Sequence, residues 1–147
     1  MEYTVKVDKA GTVQYYKPGT FSLHREDGPA VEYTNGYKAW YKEGKYHRED
    51  GPAVIYSTGS KAWYKEGKLH REDGPANEQI DGTKKWYKEG MLHREDGPAI
   101  EEPNGHKEWY IEGKALSEEE FENRTKEAKV RTFTVPKGTT QIRIQLE

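Results

Sequence analysis

Short runs of alternating apolar and polar residues, separated by glycine-containing turns, fill most of this chain. Residues 30–52 read AVEYTNGYKAWYKEGKYHREDGP, with the dipeptides Asn35-Gly36 and Glu43-Gly44 between such runs. Period-two alternation is typical of β-strands with one buried face. Asn-Gly between β-rich runs favours a tight hairpin turn. The pattern therefore predicts two consecutive β-hairpins.

The same pattern recurs with a period of 23 residues. The recurring tryptophans are Trp40, Trp63, Trp86 and Trp109, and the motif HREDGPA begins at His24, His47, His70 and His93. A degenerate copy precedes them, with Gly11 and Tyr15 in the positions of Gly36 and Trp40. An isolated hairpin is barely stable in water, so we expect the units to stack on one another.

Each turn position predicts which residues face each other. A two-residue turn at Asn35-Gly36 places Val31 opposite Trp40, and in the third unit it places Asn77 opposite Trp86. Residue 41 then lies on the face opposite Trp40, because successive side chains of a strand alternate.

A second two-residue turn is predicted at Glu43-Gly44. It would pair Tyr41 with Tyr46 and Trp40 with His47. The HREDGP segment would then lead the chain into the next hairpin.

The C-terminal residues predict a different structure. Ser117-Glu-Glu-Glu120 is a capping box, which predicts a helix from about Glu118 to Ala128, with Phe121 as its apolar anchor. The helix would cover the last repeat, since terminal repeats need caps. The alternation in residues 130–147 predicts a further hairpin, which either packs on the helix or contacts a partner or a second copy.

These patterns together predict an all-β fold. We expect an elongated antiparallel β-hairpin repeat array of period 23 in residues 1–116, a capping helix over 117–129 and a terminal β-hairpin over 130–147.

Composition narrows the class of protein. Charged residues make up 34% of the chain, the net charge is −2, and 12% of the residues are aromatic, which can supply a thin core. The balanced charge gives no basic patch for nucleic acid. The absence of cysteine rules out disulfides and cysteine zinc sites, and no apolar run is long enough to span a membrane. We expect a cytoplasmic protein without membrane insertion or cofactor.

The HREDGPA motif suggests two interpretations. Metal or acid–base chemistry needs side chains that converge on one point, but neighbouring copies would lie roughly 10 Å apart in a sheet. The alternative is a structural joint between hairpins, with an Asp-Gly-Pro turn in which glycine takes positive φ, arginine pairs with a carboxylate, and histidine stacks on tryptophan and bonds across the seam. We favour joints. Their residues are His47, Asp50, Gly51, His70, Asp73, Gly74, His93, Asp96 and Gly97.

Two residue sets are candidates for binding. A row of tyrosines forms either a second core or a recognition surface, because tyrosine is large, rigid and amphipathic. This row consists of Tyr41, Tyr64, Tyr87 and Tyr110. Arg48 and Arg71, with the lysines near the tryptophans, would instead suit a phosphorylated ligand.

The segment W-Y-K-E-G-K-x-H-R, at 40–48 and 63–71 and with Met91 at the lysine position in 86–94, resembles the MORN repeat. That resemblance implies a single-layer array of β-hairpins over residues 3–125. MORN units continue into G-x-G, whereas this chain continues into R-E-D-G-P-A. The HREDGPA variant and the ending 113–121, GKALSEEEF, resemble phage and giant-virus proteins.

No nucleophile–base pair, phosphate loop or metal constellation stands out, so we expect no enzyme activity. The replicated surface, the missing catalytic site and the additional C-terminal hairpin favour a binding protein that engages a host protein through its repeat surface, and the resemblance implies a phage or viral origin. Inhibition of a host defence system is one form of this hypothesis and rests on the resemblance alone. The alternatives are sequestration of a nucleotide or phospholipid head group, and a structural scaffold that self-associates through residues 130–147.

Overall fold

A computed structural model describes residues 2–131 of the chain, with side chains over residues 2–127. This part consists of seventeen strands followed by one helix. The strands are β1 Thr4–Val7, β2 Val13–Tyr16, β3 Val31–Glu32, β4 Lys38–Ala39, β5 Tyr41–Lys42, β6 Lys45–Tyr46, β7 Val54–Ile55, β8 Lys61–Ala62, β9 Tyr64–Lys65, β10 Lys68–Leu69, β11 Asn77–Glu78, β12 Lys84–Lys85, β13 Tyr87–Lys88, β14 Met91–Leu92, β15 Ile100–Glu101, β16 Lys107–Ile111 and β17 Lys114–Leu116, and the helix is α1 Glu118–Arg131.

The strands form one long antiparallel sheet with short hairpins beside it. Eleven strands lie in the order β1-β2-β3-β4-β7-β8-β11-β12-β15-β16-β17. The other six form the two-stranded pairs β5–β6, β9–β10 and β13–β14. Each complete repeat thus adds two strands to the long sheet and one hairpin outside it. This confirms the predicted all-β hairpin array.

The predicted register of the first hairpin is wrong by one residue. Val31 pairs with Ala39, not with Trp40. The loop contains three residues, 34–36, and is closed by a hydrogen bond from the Tyr33 amide to the Tyr37 carbonyl (2.9 Å). Within this loop only Gly36 takes positive φ, at 90°. A three-residue loop of this kind is a type I turn followed by a left-handed residue, and it shifts the pairing by one.

The shift decides which side chains share the buried face. Ala39 instead of Trp40 lies beside Val31, and both are buried. In the third unit Asn77 pairs with Lys85 and not with Trp86, and on its other side it pairs with Ala62.

The second hairpin follows the prediction. Tyr41 pairs with Tyr46, and the His47 amide donates to the Trp40 carbonyl at 3.1 Å. Glu43 has φ 51° and Gly44 has φ 77°. Positive φ at both central residues defines the type I′ turn, whose twist suits a two-residue hairpin. The non-glycine residue of this turn is a glutamate in every unit: Glu43, Glu66, Glu89 and Glu112.

The core of the array is thin and built from small residues. Fully buried alanines occur at Ala30, Ala39, Ala53, Ala62, Ala76 and Ala99. Val31 and Val54 complete a central cluster with Ala39 and Ala62. The aromatic and aliphatic side chains packed on this cluster are Leu23, Tyr37, Tyr41, Tyr46, Tyr64 and Leu69. The tyrosines therefore supply much of the bulk that the alanines lack.

Helix α1 closes the C-terminal end of the sheet. The predicted capping box is confirmed, because the Ser117 amide donates to Glu120 Oε2 at 2.7 Å and the Glu120 amide donates to Ser117 Oγ at 3.2 Å. Phe121 is buried, as is Ile111 of β16. The helix contacts β16 and β17, as expected of a cap. The predicted terminal hairpin lies outside the described residues, except that residues 130 and 131 belong to α1.

Residues 2–131 contain no helix that is long and apolar enough to span a membrane. There α1 is too short and too polar to cross a bilayer.

The strained turn residue yields a stability prediction. Replacing Glu66 with asparagine should raise the free energy of unfolding by about 0.5–1 kcal/mol, because asparagine tolerates the left-handed region better than glutamate. The change is measured by urea denaturation. Lys65→Asn in the adjacent strand is the control and should give no gain. Equal effects of the two substitutions on the free energy of unfolding would show that Glu66 is not strained in this turn.

Candidate binding site

Each HREDGP loop folds around its arginine. In the third loop the Arg71 guanidinium carbon lies 4.1 Å from the centroid of the Trp63 ring. Its Nε donates to Asp73 Oδ1 at 2.8 Å, and a terminal nitrogen donates to the Pro75 carbonyl at 3.3 Å. Arginine suits this position because its flat cation stacks on a ring while its edge donates hydrogen bonds. We call this unit the arginine clamp.

The arginine clamp recurs in all four loops. The guanidinium lies 3.9–4.1 Å from the ring centroid in each copy. The pairs are Arg25 with Tyr15, Arg48 with Trp40, Arg71 with Trp63 and Arg94 with Trp86. Tyr15 thus takes the place of tryptophan in the degenerate first unit.

The glycine of the motif has a different role from the one predicted. Gly51 and Gly74 do not take positive φ, and neither do their equivalents Gly28 and Gly97. Instead, a Cβ at Gly74 would lie 3.0 Å from the guanidinium carbon of Arg71. A side chain at this position would crowd the guanidinium and force Arg71 to shift against the tryptophan.

The histidine joins one unit to the next. His47 Nδ1 accepts a hydrogen bond from the Glu66 amide at 3.2 Å, and the same bond recurs from Glu43 to His24, from Glu89 to His70 and from Glu112 to His93. This confirms the predicted bond across the seam. The predicted stacking of histidine on tryptophan is wrong, because the arginine occupies that position.

Backbone hydrogen bonds reinforce this junction. The Arg48 amide donates to the Tyr64 carbonyl at 3.2 Å, and the Gly67 amide donates to the Tyr46 carbonyl at 2.8 Å. Both bonds cross from one repeat to the next. The motif therefore fixes its own loop through arginine and the following hairpin through histidine and the backbone.

The clamp lowers the pKa of three loop aspartates. The hydrogen bond from Arg48 lowers the pKa of Asp50, and the one from Arg71 lowers the pKa of Asp73. The pKa of Asp27 is lowered in the same way by Arg25. A hydrogen bond to the charged form is the expected cause of such a shift.

Three similar grooves lie between consecutive loops. Their volumes are about 710, 860 and 740 Å³. Each is lined by a tryptophan, a histidine, a lysine, two arginines and the four acidic residues of the flanking loops. The tryptophans are Trp40, Trp63 and Trp86. We call these three cavities the groove ladder.

Two of the candidate tyrosines pack on the core cluster. Tyr41 and Tyr64 are partly buried on the alanine and valine cluster, and both contact Tyr46, with ring centroids 4.5 and 5.0 Å away. Burial raises the pKa of Tyr41 and Tyr64, and also that of Tyr87. Tyr110 donates to Glu108 at 2.8 Å, which raises its pKa. Only Tyr41 also lines a groove in the described residues.

The candidate arginines therefore line the grooves, whereas of the candidate tyrosines only Tyr41 does so among the described residues. Arg48 and Arg71 lie in the groove ladder, with their guanidinium groups engaged by rings and aspartates. The glutamates at the groove edges, Glu49, Glu72 and Glu95, were missed as binding candidates, although their identical spacing was visible in the sequence.

No three histidine, aspartate or glutamate side chains of the described residues gather as a metal site. Comparisons with known proteins found no matching family model and no matching curated protein.

A double-mutant cycle tests the role of the motif glycine. Gly74→Ala should lower the free energy of unfolding by about 1–3 kcal/mol, because the added Cβ displaces Arg71. In an Arg71→Ala background the same substitution should cost less than about 0.5 kcal/mol, since the clash is gone. Denaturant unfolding of the four proteins gives both values. Equal costs in the two backgrounds would show that the glycine serves something other than the clamp.

Proposed function

We propose that this chain is a non-enzymatic binding protein that engages a host protein through its repeat surface. The observation that carries this proposal is the groove ladder, in which one cavity per repeat interval is presented side by side. A repeated, aligned set of like cavities suits an extended partner better than a small substrate.

The composition of the grooves supports a protein partner. Tryptophan and arginine are enriched where protein interfaces bind most strongly. Here Trp63 is held by Arg71, and Arg71 is held by Asp73, so the groove wall is fixed before a partner arrives. Such preorganisation lowers the entropy cost of binding.

The origin of the chain and the identity of its partner remain proposals. The interpretation of the repeats as MORN-like is supported by the W-Y-K-E-G-K-x-H-R segments and by the hairpin array that they imply. A phage or viral origin, and inhibition of a defence system, rest on the HREDGPA resemblance.

The nucleotide and phospholipid alternatives have less support. Arg48 and Arg71 donate to Asp50 and Asp73, so their charge is largely compensated within the loops. The exposed carboxylates at the groove edges would also repel a phosphate. Self-assembly through residues 130–147 stays a prediction, because most of that segment lies outside the described residues.

Site-directed blocking tests the proposed function. The chain has no cysteine, so a cysteine at Glu72 on the groove edge or at Thr58 on an exposed hairpin tip can be labelled selectively with a bulky maleimide. We expect the unlabelled proteins to capture the same host protein from lysate, measured by quantitative mass spectrometry. The label at position 72 should abolish capture, whereas the label at position 58 should not.

Two results would contradict the proposal. One is the absence of any host protein enriched above a tag-only control. The other is capture that survives the label at position 72, which would move binding away from the groove ladder.

A further inference from the structure

The charges of the groove ladder point to the chemistry of the partner. Each groove is lined by four carboxylates against two arginines and one lysine. In the second groove, Arg48 and Arg71 each donate to an aspartate of their own loop. The glutamates of the two loops, Glu49 and Glu72, are left with their side chains 84% exposed. The free charge at the groove edge is therefore negative.

His47 and His70, next to these glutamates, each have a buried ring nitrogen without a hydrogen-bond partner in the part of the chain that the structure describes. The His70 side chain is only 10% exposed, and its Nδ1 accepts from the Glu89 amide at 3.2 Å, with Glu89 Oε1 3.0 Å from the same nitrogen. The amide bond to Nδ1 places a ring proton on Nε2. That Nε2 has no hydrogen-bond partner among the described residues, and it lies 3.6 Å from Glu72 Oε1. His47 Nε2 is likewise without a partner and lies 3.6 Å from Glu49. An enclosed donor without an acceptor is costly.

A cation that enters the groove would remove this cost. It would draw the glutamate over the groove, where one carboxylate oxygen can contact the cation and the other can accept from histidine Nε2. The site is therefore suited to the side chain of arginine or lysine.

The spacing of the grooves restricts how such side chains are presented. Neighbouring loops are separated by two strands of the long sheet, which is about 10 Å. An extended chain in the polyproline II conformation rises about 3.1 Å per residue with three residues per turn. Every third side chain then points the same way, about 9 Å from the previous one. This spacing matches the ladder.

We propose that the groove ladder binds an extended basic segment of a partner protein, with arginine or lysine at every third position. This proposal rests on the proposed function and names the chemistry of its partner. The cationic side chains enter successive grooves between the glutamates of adjacent loops.

Binding of labelled peptides tests the proposal, with fluorescence anisotropy as the readout. Three peptides of equal composition carry three arginines at every third residue, at every second residue or as one block. The peptide with third-residue spacing should bind most tightly. The triple substitution Glu49→Gln/Glu72→Gln/Glu95→Gln should weaken its binding about tenfold, as expected when three exposed ion pairs are lost.

A matched control is available within the same repeats. Glu66→Gln/Glu89→Gln/Glu112→Gln makes the same charge change with the same period, but in the type I′ turns, and none of these residues lines a groove. It should leave peptide affinity within about twofold, since these carboxylates lie outside the grooves and exposed charges are screened by salt. Circular dichroism melts of both triple variants check that the fold is kept.

The outcomes distinguish failure of this inference from failure of the proposed function. Equal binding of the three peptides, no binding at all, or equal effects of the two triple variants would overturn the proposal. If a host protein is captured through the groove ladder and the Glu49, Glu72 and Glu95 substitutions do not weaken its capture, the proposed function stands and this inference fails. If the spaced peptide binds as expected but no host protein is captured, the proposed function fails instead.

Discussion

The packing of an arginine on a tryptophan is the interaction on which the rest of this structure depends. The Arg71 guanidinium carbon lies 4.1 Å from the centroid of the Trp63 ring, and the group also donates to Asp73 and to the Pro75 carbonyl. A cation–π contact of this kind contributes about 0.5–2 kcal/mol. The contact also aligns the start of the next unit, because the adjacent Ala76 carbonyl accepts from the Trp63 amide at 2.8 Å.

Such a joint matters because the core is small. The fully buried positions are mostly alanines, and Val54 is the largest fully buried side chain of the described residues. Alanine allows neighbouring hairpins to approach closely but buries little apolar area. The array compensates with four copies of a polar joint and with tyrosines packed on one face. This explains how a chain with mean hydropathy −1.19 can hold a long sheet together.

The same joint determines which groups remain for binding. Arginine, aspartate and one histidine nitrogen are used within the loop or across the seam. The Glu49 and Glu72 side chains stay 84% exposed, and Nε2 of His47 and His70 makes no hydrogen bond within the described residues. The HREDGPA motif resembles a repeated active site, but most of its polar groups bond to other groups of the fold. The charge that remains lies along the groove edges.

Much of the fold could be predicted from local sequence. The two-residue turn at Glu43-Gly44 and the capping box at Ser117 follow from short-range rules, and the structure confirms them. The register of the first hairpin could not be predicted, because Asn35-Gly36 is compatible with both a two-residue and a three-residue loop.

The packing inside the HREDGP loops could not be predicted from the sequence, and neither could the groove ladder. The role of Gly74 depends on where Arg71 packs, and that contact is tertiary. The grooves form between consecutive repeats, so a single repeat gives no sign of them. The sequence predicted that the motif arginine pairs with a carboxylate and that the histidine bonds across the seam, but not that the arginine packs on the tryptophan.

Nuclear magnetic resonance of the arginine side chains tests the central claim most directly. The side-chain protons of Arg25, Arg48, Arg71 and Arg94 should show upfield ring-current shifts, and their Nε–H groups should exchange slowly with water. Arg124, exposed on α1, provides an internal reference without these effects. If the four loop arginines instead resemble Arg124 in shift and exchange, the arginine clamp does not hold the repeats together.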